Sequence, residues 1–180
     1  MNGVEIMALL PREGTAFVID GGDNWKVTTN RQNFEVNAIA VHPKNPETVY
    51  IGTNNYGVMI SRDGGRNFAP SNEGYSGRRA YFILPDREMP NRVYATTINT
   101  ATGGGYFYIS EDGGETWRLS ARNMPYRLIA YSILQDPRDA NTIYLGTNYG
   151  LYRSADRGAS WAPMGAPKPK AKAGRARGGR

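Results

Sequence analysis

The chain has 180 residues, 39% of them hydrophobic, enough for a domain of ordinary size to bury a core without covalent staples. It has no cysteine and one histidine, His42, which excludes a disulfide framework, a thiol nucleophile, a Cys-ligated zinc and a multi-His metal site; no metal and no cofactor are expected. The net charge of +6 belongs to the end of the chain: residues 164–180 carry Lys168, Lys170, Lys172, Arg175, Arg177 and Arg180 and no acid, leaving 16 basic against 16 acidic residues before them.

In chain order, the opening MNGVEIMALLPREG has neither a basic start nor a long apolar stretch, so no secretory signal and no membrane span are expected, and no compartment follows. Residues 4–29 then read as the last three strands of a four-strand unit, ending in VIDGGDNW, Val18 to Trp25. A complete unit follows over 36–70, with strands near 36–41, 48–53, 57–62 and 67–70. A third covers 80–120, with its second turn expanded to TINTATGGG, and a fourth covers 128–163. Val, Ile, Tyr and Thr dominate the strands and Gly, Asn, Asp and Pro punctuate them; no helical periodicity of useful length is present.

Two motifs repeat in phase. SRDGGRNF, Ser61 to Phe68, returns as SEDGGETW, Ser110 to Trp117, and as SADRGASW, Ser154 to Trp161. The pattern is S-x-D-x-G-x-x-[WF], and its closing aromatics Trp25, Phe68, Trp117 and Trp161 lie 43, 49 and 44 residues apart. Upstream of each copy runs a turn and strand in which Tyr50, Tyr94 and Tyr144 hold the same place. Four-strand units at this period predict β-propeller blades. The fold class expected is all-β, an arc of about four antiparallel blades with the first lacking a strand, followed by a disordered basic tail over 164–180.

Each motif residue has a structural task. Gly22, Gly65, Gly114 and Gly158 suit a positive φ. The aspartates Asp20, Asp63, Asp112 and Asp156 are short enough to accept hydrogen bonds from turn N–H groups. The hydroxyls of Ser61, Ser110 and Ser154 can donate locally, and the aromatic buries a large area where sheets meet. The motif resembles the Asp-box, or BNR repeat, of bacterial sialidases, sortilin-type domains, oligoxyloglucan-type glycosidases and photosystem II assembly factor-like proteins. That resemblance implies a box on the turn between third and fourth strands, on the face away from any ligand.

An arc of blades leaves unpaired edges and an exposed blade side. A longer propeller, a small four-bladed ring, or a ring completed by a second copy or a partner protein would each cover them. For function, glycosidase chemistry needs paired carboxylates. The acids outside the boxes fall in the turn before the second strand (Glu47, Asp86, Asp136, Asp139), at variable box positions (Glu111, Glu115), or scattered (Glu5, Glu13, Asp23, Glu35, Glu73, Glu88). None forms a catalytic motif, and no catalytic residue is assigned. The face opposite the boxes gathers a candidate binding rim of Arg31, Tyr56, Tyr75, Arg78, Arg79, Arg122, Tyr126, Arg127 and Tyr149, side chains suited to recognition. The leading expectation is a non-enzymatic binding or scaffold module that recognises a protein or assembles with further blades. A relative or portion of a carbohydrate-active enzyme that binds glycans is the second. The third is tethering to nucleic acid or another anionic surface through the tail.

Overall fold

The structure, a computed structural model, describes residues 35–75, 79–99 and 103–165, and before them the backbone of three strands. These are β1 (Ile6–Leu10), β2 (Gly14–Val18) and β3 (Trp25–Thr28), an antiparallel sheet in that order. The second blade holds β4 (Val36–His42), β5 (Asn45–Thr53), β6 (Val58–Ser61) and β7 (Ala69–Pro70). The third holds β8 (Arg79–Pro85), β9 (Val93–Asn99), β10 (Gly104–Ser110) and β11 (Arg118–Leu119). The fourth holds β12 (Ala130–Gln135), β13 (Ile143–Thr147), β14 (Gly150–Ser154) and β15 (Ala162–Pro163). Each sheet is an antiparallel meander, and the four make an arc of propeller blades whose first member has three strands. Among the described residues there is no helix, and hence none long and apolar enough to cross a membrane.

The repeat extends to backbone detail. The pairing of first and second strands slips by one residue between Val36 and Ala38, between Ala80 and Phe82, and between Ala130 and Ser132. When the three blades are aligned on Tyr50, Tyr94 and Tyr144, these bulges coincide. A bulge bends and twists a strand, so each first strand turns the same way as it enters the arc.

Side chains alternate across each blade, one set facing the blade before and the other the blade after. Tyr50, Val58 and Ile60 of the second blade meet Ile83, Val93, Tyr108 and Trp117 of the third in one core. Tyr94, Phe107 and Ile109 of the third meet Ile143, Leu145, Tyr152 and Trp161 of the fourth in another. A smaller cluster of Ile51 and Met59, with Val36, Ile39 and Phe68 against it, lies on the opposite side of the second blade. Full burial of a side chain such as Phe107, 1% exposed, stabilises by about 1.5–3 kcal/mol. The hydrophobic core therefore lies between the blades, and the strand ends are left to carry loops.

Candidate binding face

The box lies on the turn from third to fourth strand and is closed by its own side chains. In the second blade, Ser61 Oγ donates to Asp63 Oδ1 at 2.7 Å and accepts the Gly65 N–H at 2.8 Å. Asp63 Oδ1 also accepts the N–H groups of Arg66 and Asn67, at 3.0 and 2.9 Å. Ser110, Asp112 and Gly114 repeat this, with Thr116 as donor, as do Ser154, Asp156 and Gly158 with Ser160. Burial works against ionisation of Asp63, but the hydrogen bonds from Ser61, Asn67 and Arg66 outweigh it and hold the carboxyl down at about 2. The same contest, won by Thr116 and Ser110, leaves Asp112 at about 2. Asp156 is lowered for the same reasons. These carboxylates are turn clasps.

The box glycine also fits one blade to another. Gly114 has φ +95°, and a Cβ there would stand 2.6 Å from Ile60 Cδ1 of the preceding blade. At Gly158 a Cβ would stand 2.7 Å from Phe107 Cε1. Ser71 Oγ donates to the Gly114 carbonyl and Ser120 Oγ to the Gly158 carbonyl, one across each seam. Sequence reasoning missed both serines, although each stands three residues after a box aromatic. It also missed a charged clasp. Asp86 is fully buried and accepts from Tyr94 Oη at 2.7 Å and from Arg157 Nη1 of the fourth blade at 2.6 Å, while Arg157 Nη2 reaches Glu88 at 2.8 Å. Burial opposes ionisation of Asp86; Arg157, Tyr94 and two backbone N–H groups prevail and lower it. Burial first, and then the bond to Asp86, raise the Tyr94 hydroxyl.

The opposite face carries the turns from second to third strand and the blade connections. Tyr126 is 77% exposed and Tyr149 55%. The Arg127 guanidinium lies 5.5 Å from the centre of the Tyr126 ring. Arg127 has φ +63°, a left-handed conformation that is uncommon outside glycine, asparagine and aspartate. Asn148 holds the loop in that shape: its Oδ1 accepts the Ile129 N–H at 2.7 Å and its Nδ2 donates to the Arg127 carbonyl at 3.2 Å. Tyr149 Oη approaches the Tyr126 carbonyl at 3.4 Å. Beside this group a cleft of about 230 Å³ runs between β10 and the connection from third to fourth blade, lined by Gly105, Tyr106, Met124, Pro125, Tyr126 and Leu128.

The other rim candidates are dispersed. Tyr56 is exposed on the second blade's turn. Arg122 is exposed, and its carbonyl accepts the Trp161 N–H at 3.2 Å. Arg79 opens β8 and is half-buried. Tyr75 does not stand on the rim: it packs into the seam with its ring 4.9 Å from Tyr108, and burial raises its hydroxyl. Arg31, Arg78, Asp20, Gly22 and the tail residues Lys168 to Arg180 lie outside the described residues, as does the Trp25 side chain. Asn148 stands in the repeated turn, where Asn54 is its counterpart in the second blade, and its role as a loop clamp was not read from that; the cleft was missed because it lies against a connection that does not repeat. Among the described residues no group of three or more His, Cys, Asp or Glu could hold a metal ion.

The BNR/Asp-box repeat family model matches residues 108–119. The xyloglucanase Xgh74A of Acetivibrio thermocellus is 35% identical over 94 residues, 46% of this chain and 11% of that protein. A crystal structure of an ancestral GH74 enzyme superposes with a TM-score of 0.80 at 28% identity, over 93% of this chain and 23% of that one. YCF48 from Cyanidioschyzon merolae shares the fold with a TM-score of 0.65 at 17% identity, over 83% of this chain and 47% of that one. The chain thus spans about a tenth of the length of the curated xyloglucanase it matches. It carries the Asp-box repeat on an arc of β-propeller blades, similar to part of the ancestral GH74 enzyme.

Proposed function

We propose that this chain is a non-enzymatic binding segment of an Asp-box propeller, and that the face opposite the boxes recognises an oligosaccharide of the xyloglucan class. The observation that carries the reading is the group formed by Tyr126, Arg127 and Tyr149. Two exposed tyrosine rings offer apolar faces to the C–H surface of a pyranose, with hydroxyl tips left for polar contact. The guanidinium fork of Arg127 supplies hydrogen-bond donors for sugar hydroxyls. A fixed loop conformation lowers the entropy lost on binding. Similarity to xyloglucanases favours a sugar over a peptide as ligand.

Binding is favoured over hydrolysis by how the acids are used. All the described aspartates accept hydrogen bonds in a turn or a seam. Glu47, Glu88, Glu111 and Glu115 face arginines. None of them stands beside the Tyr126 cleft, where a retaining or inverting pair would be needed. Calorimetric titration with xyloglucan oligosaccharides should give saturable binding to the wild type and a loss of at least tenfold in Tyr126→Ala. Absence of binding in both, or equal binding by both, would sink the assignment.

The second reading, a portion of a xyloglucan hydrolase, is favoured by the same similarity. It predicts release of new reducing ends from xyloglucan. The binding reading predicts none.

A further inference from the structure

Two hydroxyl oxygens, Tyr75 Oη and Thr97 Oγ1, are buried in the seam between second and third blades, and neither has a hydrogen-bond partner among the described residues. Thr97 is 1% exposed. By the 2-residue period of a strand it shares a face of β9 with Val93 and Ala95. Those two belong to the core against which Tyr75 packs, and the Tyr75 ring lies 4.9 Å from that of Tyr108. The two hydroxyls are neighbours: burial and Tyr108 raise the Tyr75 hydroxyl, and the Thr97 hydroxyl acts on it in the other direction. A buried hydroxyl left without a partner costs stability, so a pair of them side by side calls for a physical account.

The other blades show how the pair arises. Thr53, Thr97 and Thr147 hold one place, three residues after the repeated tyrosine. Thr53 Oγ1 donates to the Gly57 carbonyl at 3.0 Å and Thr147 Oγ1 to the Gly150 carbonyl at 2.7 Å, each closing the tight turn of its own blade. The third blade's turn is longer and closes further out, where the Gly103 N–H donates to the Asn99 carbonyl at 2.9 Å. Thr97 is thereby left without the acceptor that its counterparts have. The connection supplies the second hydroxyl. Tyr75 stands four residues after Ser71, and the residue four after Ser120 on the next connection is Met124, which packs on the other seam's core with no hydroxyl to satisfy. Both hydroxyls thus become free in the same seam. We propose that Tyr75 and Thr97 hold one buried water molecule between them, each hydroxyl bonded to it. Water fits where an ion does not. Both groups are neutral hydroxyls, able to donate and to accept, and a buried water needs at least two such partners. The water ties the connection, and with it the start of β8 at Arg79, to the third blade. This holds whatever the opposite face binds.

The test is a crystal structure of the full chain at a resolution that shows ordered water, joined to a double-mutant cycle in solution. The expected density is a single peak at hydrogen-bond distance, about 2.5–3.0 Å, from both Tyr75 Oη and Thr97 Oγ1. A direct bond between the two hydroxyls, no density between them, or a peak with the oxygen shell of a cation overturns the proposal. The cycle uses Tyr75→Phe and Thr97→Val, which remove the hydroxyls and nearly keep the shapes. In urea unfolding each should lower the equilibrium constant for folding about tenfold. The double variant should lose no more than the worse single one, because the water leaves with either partner. Additive losses mean two separate partners and overturn the proposal. So does a gain in stability in either single variant, the result expected from deleting a hydroxyl that bonds to nothing.

Discussion

The seam between second and third blades and the seam between third and fourth share one register but close differently. In the first, the residue before the box glycine is Gly113, with φ +77°, and its carbonyl accepts from Tyr50 Oη at 3.2 Å. In the second that residue is Arg157, held at φ +55° where the other two described boxes have glycine. A left-handed arginine costs backbone energy, and here the cost is offset by the ion pair with buried Asp86 and the bond to Glu88. The residue aligned with Asp86 in the second blade is His42, which instead meets the Pro90 carbonyl across the seam at 2.8 Å. One apolar register thus tolerates either a neutral or a charged clasp. Burial sets the contact, and the polar group at its edge sets how each seam responds to mutation and pH.

The largest effect that tests this comparison is removal of a box tryptophan. Trp117→Ala should cost about 3–5 kcal/mol by leaving a cavity in the first seam, and it also frees the Ser71 carbonyl that accepts from the indole at 3.0 Å. The indole N–H of Trp161 is buried without a hydrogen bond, so Trp161→Ala should cost about 1 kcal/mol less. Urea unfolding measures both, and equal losses would remove the distinction.

Next in size is Arg157→Ala. Deleting one partner of a buried ion pair leaves an uncompensated charge, worth about 3 kcal/mol. Adding Asp86→Asn should recover part of the loss, and additivity of the two would break the charged-clasp account. The cost should be specific to the second seam, because the ion pair across the first, Arg62–Glu115, is solvent-exposed and exposed pairs contribute little.

Smaller still is Ser110→Ala, which removes the hydroxyl that donates to Asp112 and accepts the Gly114 N–H; about 1–2 kcal/mol is expected from thermal melts. The pH dependence has a definite sign. The carboxyls of Asp63 and Asp112 sit at about 2, below the usual value near 4. Their stabilisation is complete above that usual value and is lost as the pH falls through it toward about 2. Thermal melts should therefore weaken steadily from pH 5 to pH 2, less steeply in Asp112→Asn. A melting temperature flat over that range would contradict the hydrogen-bond assignment.

The sequence carried most of the fold and little of the site. Every described box residue takes part in a repeat, so its task could be inferred from recurrence: Ser110, Asp112, Gly114 and Trp117 were legible before any coordinate. The paired blade sides were legible in the same way, because a 2-residue period fixes which side chains share a face. The Tyr126–Arg127–Tyr149 group was only half legible. Its residues were named among the rim candidates, but their convergence depends on Asn148 fixing a non-repeated loop. Tyr75 shows the same limit in reverse, since a connection long enough to reach the rim folded its ring back against Tyr108. The Asp86–Arg157 contact joins residues 71 apart and occurs in one of the two described seams, so no recurrence announced it.

Amide hydrogen exchange with and without a xyloglucan oligosaccharide tests the central claim most directly, because it reports both faces of every described blade at once. The account predicts added protection over residues 120–129 and 147–150 and none over the boxes at 61–68, 110–117 and 154–161. Protection centred on the box turns, or none anywhere at saturating ligand, would contradict it.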